Sequence, residues 1–273
     1  SRDSNGWIVC GLYFGLTPTH ASSVLWVCAR TDLLCATFFL FSVLSFLGAL
    51  RRISRPLMLT CTMSAFLALL CKEMALSIPF VCFTISYVLQ PDPDWRSRIR
   101  GAIVASWPLF LVVVAYIGLR LLLFGSLPRS PLHETATWVT LLTNLPRYAV
   151  SLLVPIDLEA IKPFFRAYPE AFLGASTLLA LFGLVVARHL ARDRILLVAM
   201  VCTTICLLPV VRVYAPWYLY IPSVGIAILI GRLTDLVPNI WGQRSWVRVL
   251  VLVLLAANLF GLAQAQSWAY TSG

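Results

Sequence analysis

The stretch PLMLTCTMSAFLALLC-KE-MALSIPFVCFTISYVL, residues 56–89, decides the fold class of this chain. It is an apolar tract interrupted once, by Lys72-Glu73. The halves, 56 to 71 and 74 to 90, are each near the length of a short membrane helix, since a bilayer core of about 30 Å asks for about 20 apolar residues. A charged side chain in mid-membrane costs about 2.5 to 3.5 kcal/mol even on lenient insertion scales. The Lys-Glu break therefore reads as a turn at a membrane boundary or in a wet cavity.

The rest of the chain repeats this pattern. Of 273 residues, 60% are hydrophobic and only 12% charged, and the mean hydropathy is +0.89. Soluble domains carry about twice that charge, so composition reads as an integral membrane protein. Apolar segments at about 6 to 17, 32 to 50, 56 to 71, 74 to 90, 101 to 124, 168 to 187, 195 to 211, 217 to 232 and 247 to 264 predict nine spans in one all-α polytopic bundle. No repeat or soluble domain is evident. The first residues, Ser1-Arg2-Asp3, do not read as a signal peptide, and the chain reads as a fragment of a longer one, with residues 1–273 expected to form one transmembrane domain.

Charge supplies an orientation. The net charge is +10, yet it is not gathered on one face as nucleic-acid binding requires, so no nucleic-acid partner is expected. Lysine occurs only at Lys72 and Lys162. The arginines form clusters at Arg51, Arg52 and Arg55, at Arg96, Arg98 and Arg100, at Arg188, Arg192 and Arg194, and at Arg232, Arg244 and Arg248. These fall in alternate loops and read as cytoplasmic. The opposite loops hold His20, Asp32, Glu73, Glu134, Asp157, Glu159 and Glu170, which places the chemistry on the exoplasmic side. The cysteines show no zinc-type spacing and read as small core residues.

Two connections depart from simple turns. Residues 21 to 29 are apolar but too short to span, and after Pro18 they predict a re-entrant or interfacial helix sheltered by a watery cavity near Arg30. Residues 125–167 form the long outward loop, whose amphipathic run Trp138 to Leu153 predicts short helices lying over the outer face. Gly11 and Gly15, four apart in the first span, predict a close helix contact.

The ionisable residues admit two readings each. Lys72-Glu73 marks a membrane boundary, or the lysine serves as a point charge for a lipid-linked phosphate. Arg30 and Asp32 are a helix cap with a local ion pair, or a clamp in which arginine takes phosphate and aspartate a sugar hydroxyl, a metal or an acceptor proton. Arg212, followed by Trp217, Tyr218 and Tyr220, is a snorkelling arginine in an aromatic belt, or part of a cationic aromatic wall around a phosphorylated lipid. His20 alone reads as a hydrogen-bonded structural residue or a cavity-lining one. There is no P-loop, zinc-protease signature or nucleophile elbow.

Four elements in order carry a resemblance. They are Leu16-Thr-Pro-Thr-His20, Val24-Leu-Trp-Val-Cys-Ala-Arg-Thr-Asp-Leu-Leu34, Leu69-Leu-Cys-Lys-Glu-Met74 and Tyr218-Leu-Tyr-Ile-Pro-Ser-Val-Gly225. Together they resemble the membrane core of GT-C-type glycosyltransferases, in particular the protein O-mannosyltransferase-like group that includes the transmembrane and tetratricopeptide-repeat-containing proteins. The resemblance implies transfer of a mannose-type sugar from a polyprenyl-phosphate donor to an exoplasmic protein or glycan acceptor, in a bacterial inner membrane or the endoplasmic reticulum. It implies Asp32 and Glu73 as the catalytic acidic residues, Arg30, Lys72 and Arg212 at the donor phosphate, and His20, Tyr218 and Tyr220 lining the cavity. No metal ligand is assigned, and a divalent cation is left open.

Three departures accompany it. Ser22 stands where the family commonly has an acidic residue and Thr17 where it has a first histidine. Pro216-Trp217 replaces an acidic-basic pair, leaving Arg212 as its displaced counterpart. The family's first outer loop, with its principal carboxylate, aligns before Ser1. A catalytically inactive membrane scaffold and a transporter or flippase of an anionic lipid or solute are the rival readings.

Overall fold

In the computed structural model, the structure describes residues 6–18, 20–25, 29–125, 138–153, 193–211, 214–241, 256, 258–260 and the single positions 170, 174, 177 and 263. Among these residues every element is helical. The order is α1 (Gly6–Leu16), α2 (His20–Leu25), α3 (Arg30–Arg52), α4 (Arg55–Cys71), a 3-10 turn Glu73–Ser77, α5 (Ile78–Leu89), α6 (Trp95–Phe124), α7 (Trp138–Leu153), α8 (Arg194–Leu207), a 3-10 turn Leu208–Val210, a 3-10 turn Pro216–Leu219 and α9 (Pro222–Trp241). The predicted spans at 168 to 187 and 247 to 264 fall largely outside the described residues.

Helix boundaries follow from local chemistry. Asp94 caps α6, its carboxylate accepting from the N–H groups of Arg96 and Ser97, and Asp193 caps α8 through Ile195 and Leu196. Pro56 and Pro79 stand in the first turns of α4 and α5, where a missing N–H costs nothing. The turn between α3 and α4 is tight. Ile53 closes it in the left-handed region, at φ 47° and ψ 49°, although a β-branched residue is unfavourable there.

Short turns make successive helices antiparallel, so the bundle has two chemically different ends. At one end stand Arg51, Arg52, Arg55, Arg96, Arg98, Arg100, Arg194 and Arg232, with Asp92, Asp94, Asp193 and Asp235. Asp193 accepts from Arg232 Nη2 at 2.7 Å, Arg98 Nη2 donates to the Tyr87 carbonyl at 2.8 Å, and the Gly6 N–H donates to Asp235 Oδ1 at 3.1 Å. The other end carries α2, Asp32, Lys72, Glu73, Arg120, α7 and the aromatic residues after 213.

Among the described residues two helices, α3 and α6, are long and apolar enough to cross a membrane, and α1, α4, the Glu73–Leu89 segment and Arg194–Val210 are shorter apolar helices. Small side chains make the core seams. Ser42 Oγ donates to the Cys61 carbonyl at 2.9 Å between α3 and α4, both residues fully buried. Phe80 meets Phe110 edge to face at 5.3 Å between α5 and α6. Outside, Leu44, Leu59, Val104, Val114 and Leu122 are exposed.

The close glycine contact lies elsewhere than Gly11 and Gly15. Among the described residues a Cβ added at either of those would meet nothing within 4 Å, whereas one added at Gly231 would approach Cys10 Cβ to 3.0 Å and run into the Gly6 carbonyl. Gly6 and Gly231 thus let α1 and α9 touch backbone to backbone. The four-residue spacing records only that a face is smooth, not that a partner lies against it.

The helix predicted over Trp138 to Leu153 is present as α7, with Asn144, Tyr148, Ser151 and Leu152 buried and Leu145 and Arg147 exposed. It is fastened across the aromatic end of the bundle. Tyr148 Oη donates to the Val210 carbonyl at 3.2 Å, Asn144 Nδ2 to the Val211 carbonyl at 3.1 Å, and Tyr13 Oη to the Leu152 carbonyl at 2.6 Å. Burial raises the Tyr148 hydroxyl pKa above its ordinary value, so it stays a neutral donor.

Candidate functional site

The break at Lys72-Glu73 organises the site. α4 ends at Cys71, and Lys72 adopts extended backbone, its N–H donating to the Ala68 carbonyl at 3.0 Å. The Ala75 N–H then donates to the Lys72 carbonyl at 3.2 Å, opening the 3-10 turn into α5. This change of conformation sends neighbouring side chains in different directions. Lys72 is 18% exposed and Glu73 50%.

Lys72 Nζ donates to Asp32 Oδ1, in the first turn of α3, and the two form an ion pair. The Asp32 side chain is only 4% exposed. Removing a carboxylate from water costs several kcal/mol unless a partner offsets it, and Lys72 is that partner. Arg30, predicted as a local partner, is exposed on the outside of the helix start and has no carboxylate partner among the described residues. Two residues along a helix is about 200° of rotation, so Arg30 and Asp32 leave on nearly opposite faces.

Tyr218 closes the other side. The extended Ala215 and the 3-10 turn Pro216–Leu219 bring its ring under the ammonium, 4.6 Å from Nζ to the ring centroid. Glu73, turned outward, is paired with Arg120 of α6 at 3.1 Å, and Arg120 Nη1 also donates to Tyr116 Oη at 2.5 Å. Arg120 was not singled out from the sequence. Its signal was an isolated cation inside a long apolar segment, with Tyr116 one helical turn before it.

His20 occupies a separate aromatic box. Its ring lies 4.3 Å from that of Tyr220 and 4.7 Å from that of Phe14, and Nε2 is 2.8 Å from Ser223 Oγ. Ser223 Oγ donates to the Tyr220 carbonyl at 2.7 Å, which ties the His20 contact to the backbone entering α9. Burial pushes the His20 pKa down to about 4, against a smaller upward pull from the Phe14 carbonyl. The imidazole is neutral at ordinary pH, and it clamps α2 to the start of α9.

The seven described candidates thus divide. Asp32, Lys72 and Tyr218 converge, Glu73 flanks them through Arg120, His20 and Tyr220 form the adjoining box, and Arg30 stands apart. Arg212 lies outside the described residues. Among the described residues no three His, Cys, Asp or Glu side chains converge on one point.

A lysine ammonium has three donors. Asp32 takes one, leaving two for an anionic oxygen, while Tyr218 gives the same cation an aromatic floor. Asp32 is held where its second oxygen could accept a proton or hydroxyl from a bound molecule.

No protein-family model, no curated protein and no solved structure matches the chain.

Proposed function

We propose that this chain is a multi-pass membrane protein of GT-C-like architecture that transfers a mannose-type sugar from a polyprenyl-phosphate donor to an exoplasmic protein or glycan acceptor. The observation that carries the reading is the Lys72–Asp32 pair lodged over Tyr218 where apolar helices meet under α7. A half-buried cation beside a buried carboxylate has the two polarities that glycosyl transfer needs. Lys72 holds the phosphate and stabilises the charge it gains as the sugar leaves, and Asp32 orients or deprotonates the acceptor hydroxyl.

The nine-span bundle, with the arginine end cytoplasmic and the aromatic end exoplasmic, belongs to the same proposal. The alternation of arginines between helix ends supports it, as do the exposed aliphatic side chains around α3, α4 and α6. Arg120, which pairs with Glu73, joins Lys72 as a second cation at the mouth, and Arg30 and Arg212 remain candidates for donor contacts.

The test is a transfer assay in reconstituted vesicles with radiolabelled polyprenyl-phosphate mannose and a membrane-protein acceptor extract. Label should move to the acceptor with wild type and be lost with Lys72→Ala or Asp32→Asn. Cysteines placed at Ile53 and Phe124 should react with an impermeant thiol reagent from opposite sides. Transfer undiminished in both site variants would overturn the assignment of the site.

The mutual neutralisation of Asp32 and Lys72 favours a second reading, a membrane scaffold in which the pair only locks α3 to α4. In that case the variants lose stability, and wild type transfers no sugar.

A further inference from the structure

An apolar cavity runs along the bundle from its arginine end as far as Cys206, beside the Glu73–Ser77 turn. It has a volume of about 230 Å3 and runs between α3, α5, α8 and α9, with Phe39, Val43, Val81, Val198, Cys202 and Ile228 among its walls. Its walls are almost wholly apolar. Among the described residues the one charged side chain lining it is Arg194, at the arginine end.

Three features of this groove select an occupant. Along α8 it reaches from Arg194 to Cys206, which at the helical rise is about 18 Å. One leaflet of a bilayer contributes about 15 Å of hydrocarbon, so the groove is as deep as one acyl chain in one leaflet. Second, Arg194 is exposed and has no carboxylate partner among the described residues, whereas its neighbour Asp193 is occupied by Arg232. Third, that mouth lies in the arginine collar, where Arg51, Arg52, Arg55, Arg96 and Arg100 are also exposed and an anionic headgroup is favoured.

We propose that this groove is a binding site for an anionic glycerophospholipid of the arginine-side leaflet, one acyl chain filling the space between α3, α5, α8 and α9 and the phosphate resting on Arg194. The site rests on the membrane reading above and is independent of sugar transfer, since Lys72 and Asp32 stand at the opposite end. The bound chain acts as a fifth wall for the four helices. Without it, Val43, Val81 and Val198 would face a void, with the loss of contacts that any cavity entails.

The experiment uses the full chain in nanodiscs of phosphatidylcholine doped with phosphatidylglycerol, followed by native mass spectrometry of the released protein. Wild type should retain phosphatidylglycerol in preference to phosphatidylcholine, at one copy. Arg194→Gln should reduce that retention about fivefold, the usual contribution of one arginine at a membrane surface, while Arg194→Lys keeps it. Val198→Phe, which fills the groove from a half-exposed position, should abolish retention with helical content unchanged. Lys72→Ala should bind as wild type does, so that loss of sugar transfer and loss of lipid are read separately. Equal retention of both lipids, or wild-type retention in both Arg194→Gln and Val198→Phe, would overturn the proposal, as would a crosslink showing that another segment of the chain fills the groove.

Discussion

The Lys72 ammonium lies 4.6 Å from the centroid of the Tyr218 ring while its Nζ donates to Asp32. Three segments far apart in the chain thereby meet at one cation. A cation over an aromatic face is stabilised by about 0.5 to 2 kcal/mol, the more so when desolvated. Tyr218→Phe keeps the face, and its affinity for polyprenyl phosphate, measured by tryptophan fluorescence titration, should stay within about twofold of wild type. Tyr218→Ala should weaken it about fivefold, equivalent to about 1 kcal/mol. Equal affinities in the two variants would remove the ring from the phosphate site.

Removing one member of a buried ion pair strands the other. Asp32→Ala or Lys72→Ala alone should lower unfolding free energy in detergent micelles by about 3 kcal/mol. The double variant Asp32→Leu with Lys72→Met should recover most of that loss, because an apolar pair of similar volume needs no charge compensation. By contrast Glu73→Gln, whose pair with Arg120 is half in solvent, should change stability by less than about 1 kcal/mol. Chemical or thermal denaturation followed by circular dichroism measures all four. A double variant as weak as the singles would mean that α3 and α4 need the charges themselves.

His20 makes stability depend on pH in a stated direction. Its folded pKa of about 4 lies below the ordinary 6.5, so the unfolded chain binds a proton more readily than the folded one. The stability that comes from burying neutral imidazole is complete above pH 6.5 and is lost as pH falls from there towards 4. The full loss is about 3 kcal/mol. His20→Asn should flatten this part of the profile relative to wild type. Thermal scans of both proteins between those limits decide it, and parallel curves would show that the ring is not buried as neutral imidazole.

The backbone approach of α1 and α9 separates two kinds of glycine. Gly6→Ala and Gly231→Ala each place a methyl into facing backbone or carboxylate atoms, and each should cost about 1 to 3 kcal/mol by overpacking. Gly11→Ala and Gly15→Ala meet no atom within 4 Å among the described residues and should be neutral or slightly stabilising through helix propensity. The same denaturation measurement ranks the four. A large loss at Gly11 would indicate a partner surface there.

Much of the helical layout was legible because apolar segments and their breakers are local. The segments read at 6 to 17, 32 to 50, 56 to 71, 74 to 90 and 101 to 124 correspond to α1, α3, α4, the Glu73–Leu89 segment and α6. Lys72-Glu73 was legible as a break between helices because two charges inside an apolar tract need a local reason. The direction each side chain takes was not, since it follows from a single extended residue, Lys72, at the end of α4. Arg30 next to Asp32 suggested the wrong ion pair for the same reason. Proximity in sequence says little about faces of a helix.

What the sequence by itself determined is the all-helical class, the alternation of arginine-rich and arginine-poor turns, and the residue types from which a phosphate-binding cavity can be made. These depend on hydrophobicity, helix length and charge, each readable from a short window. Only the tertiary structure decided that Lys72 belongs to Asp32 and Tyr218, Glu73 to Arg120, His20 to Ser223 and Tyr220, and that Gly6 rather than Gly11 meets a partner helix. Those choices depend on which helix faces which, and burial of unpaired charge is costly enough to make each pairing specific once the helices have met.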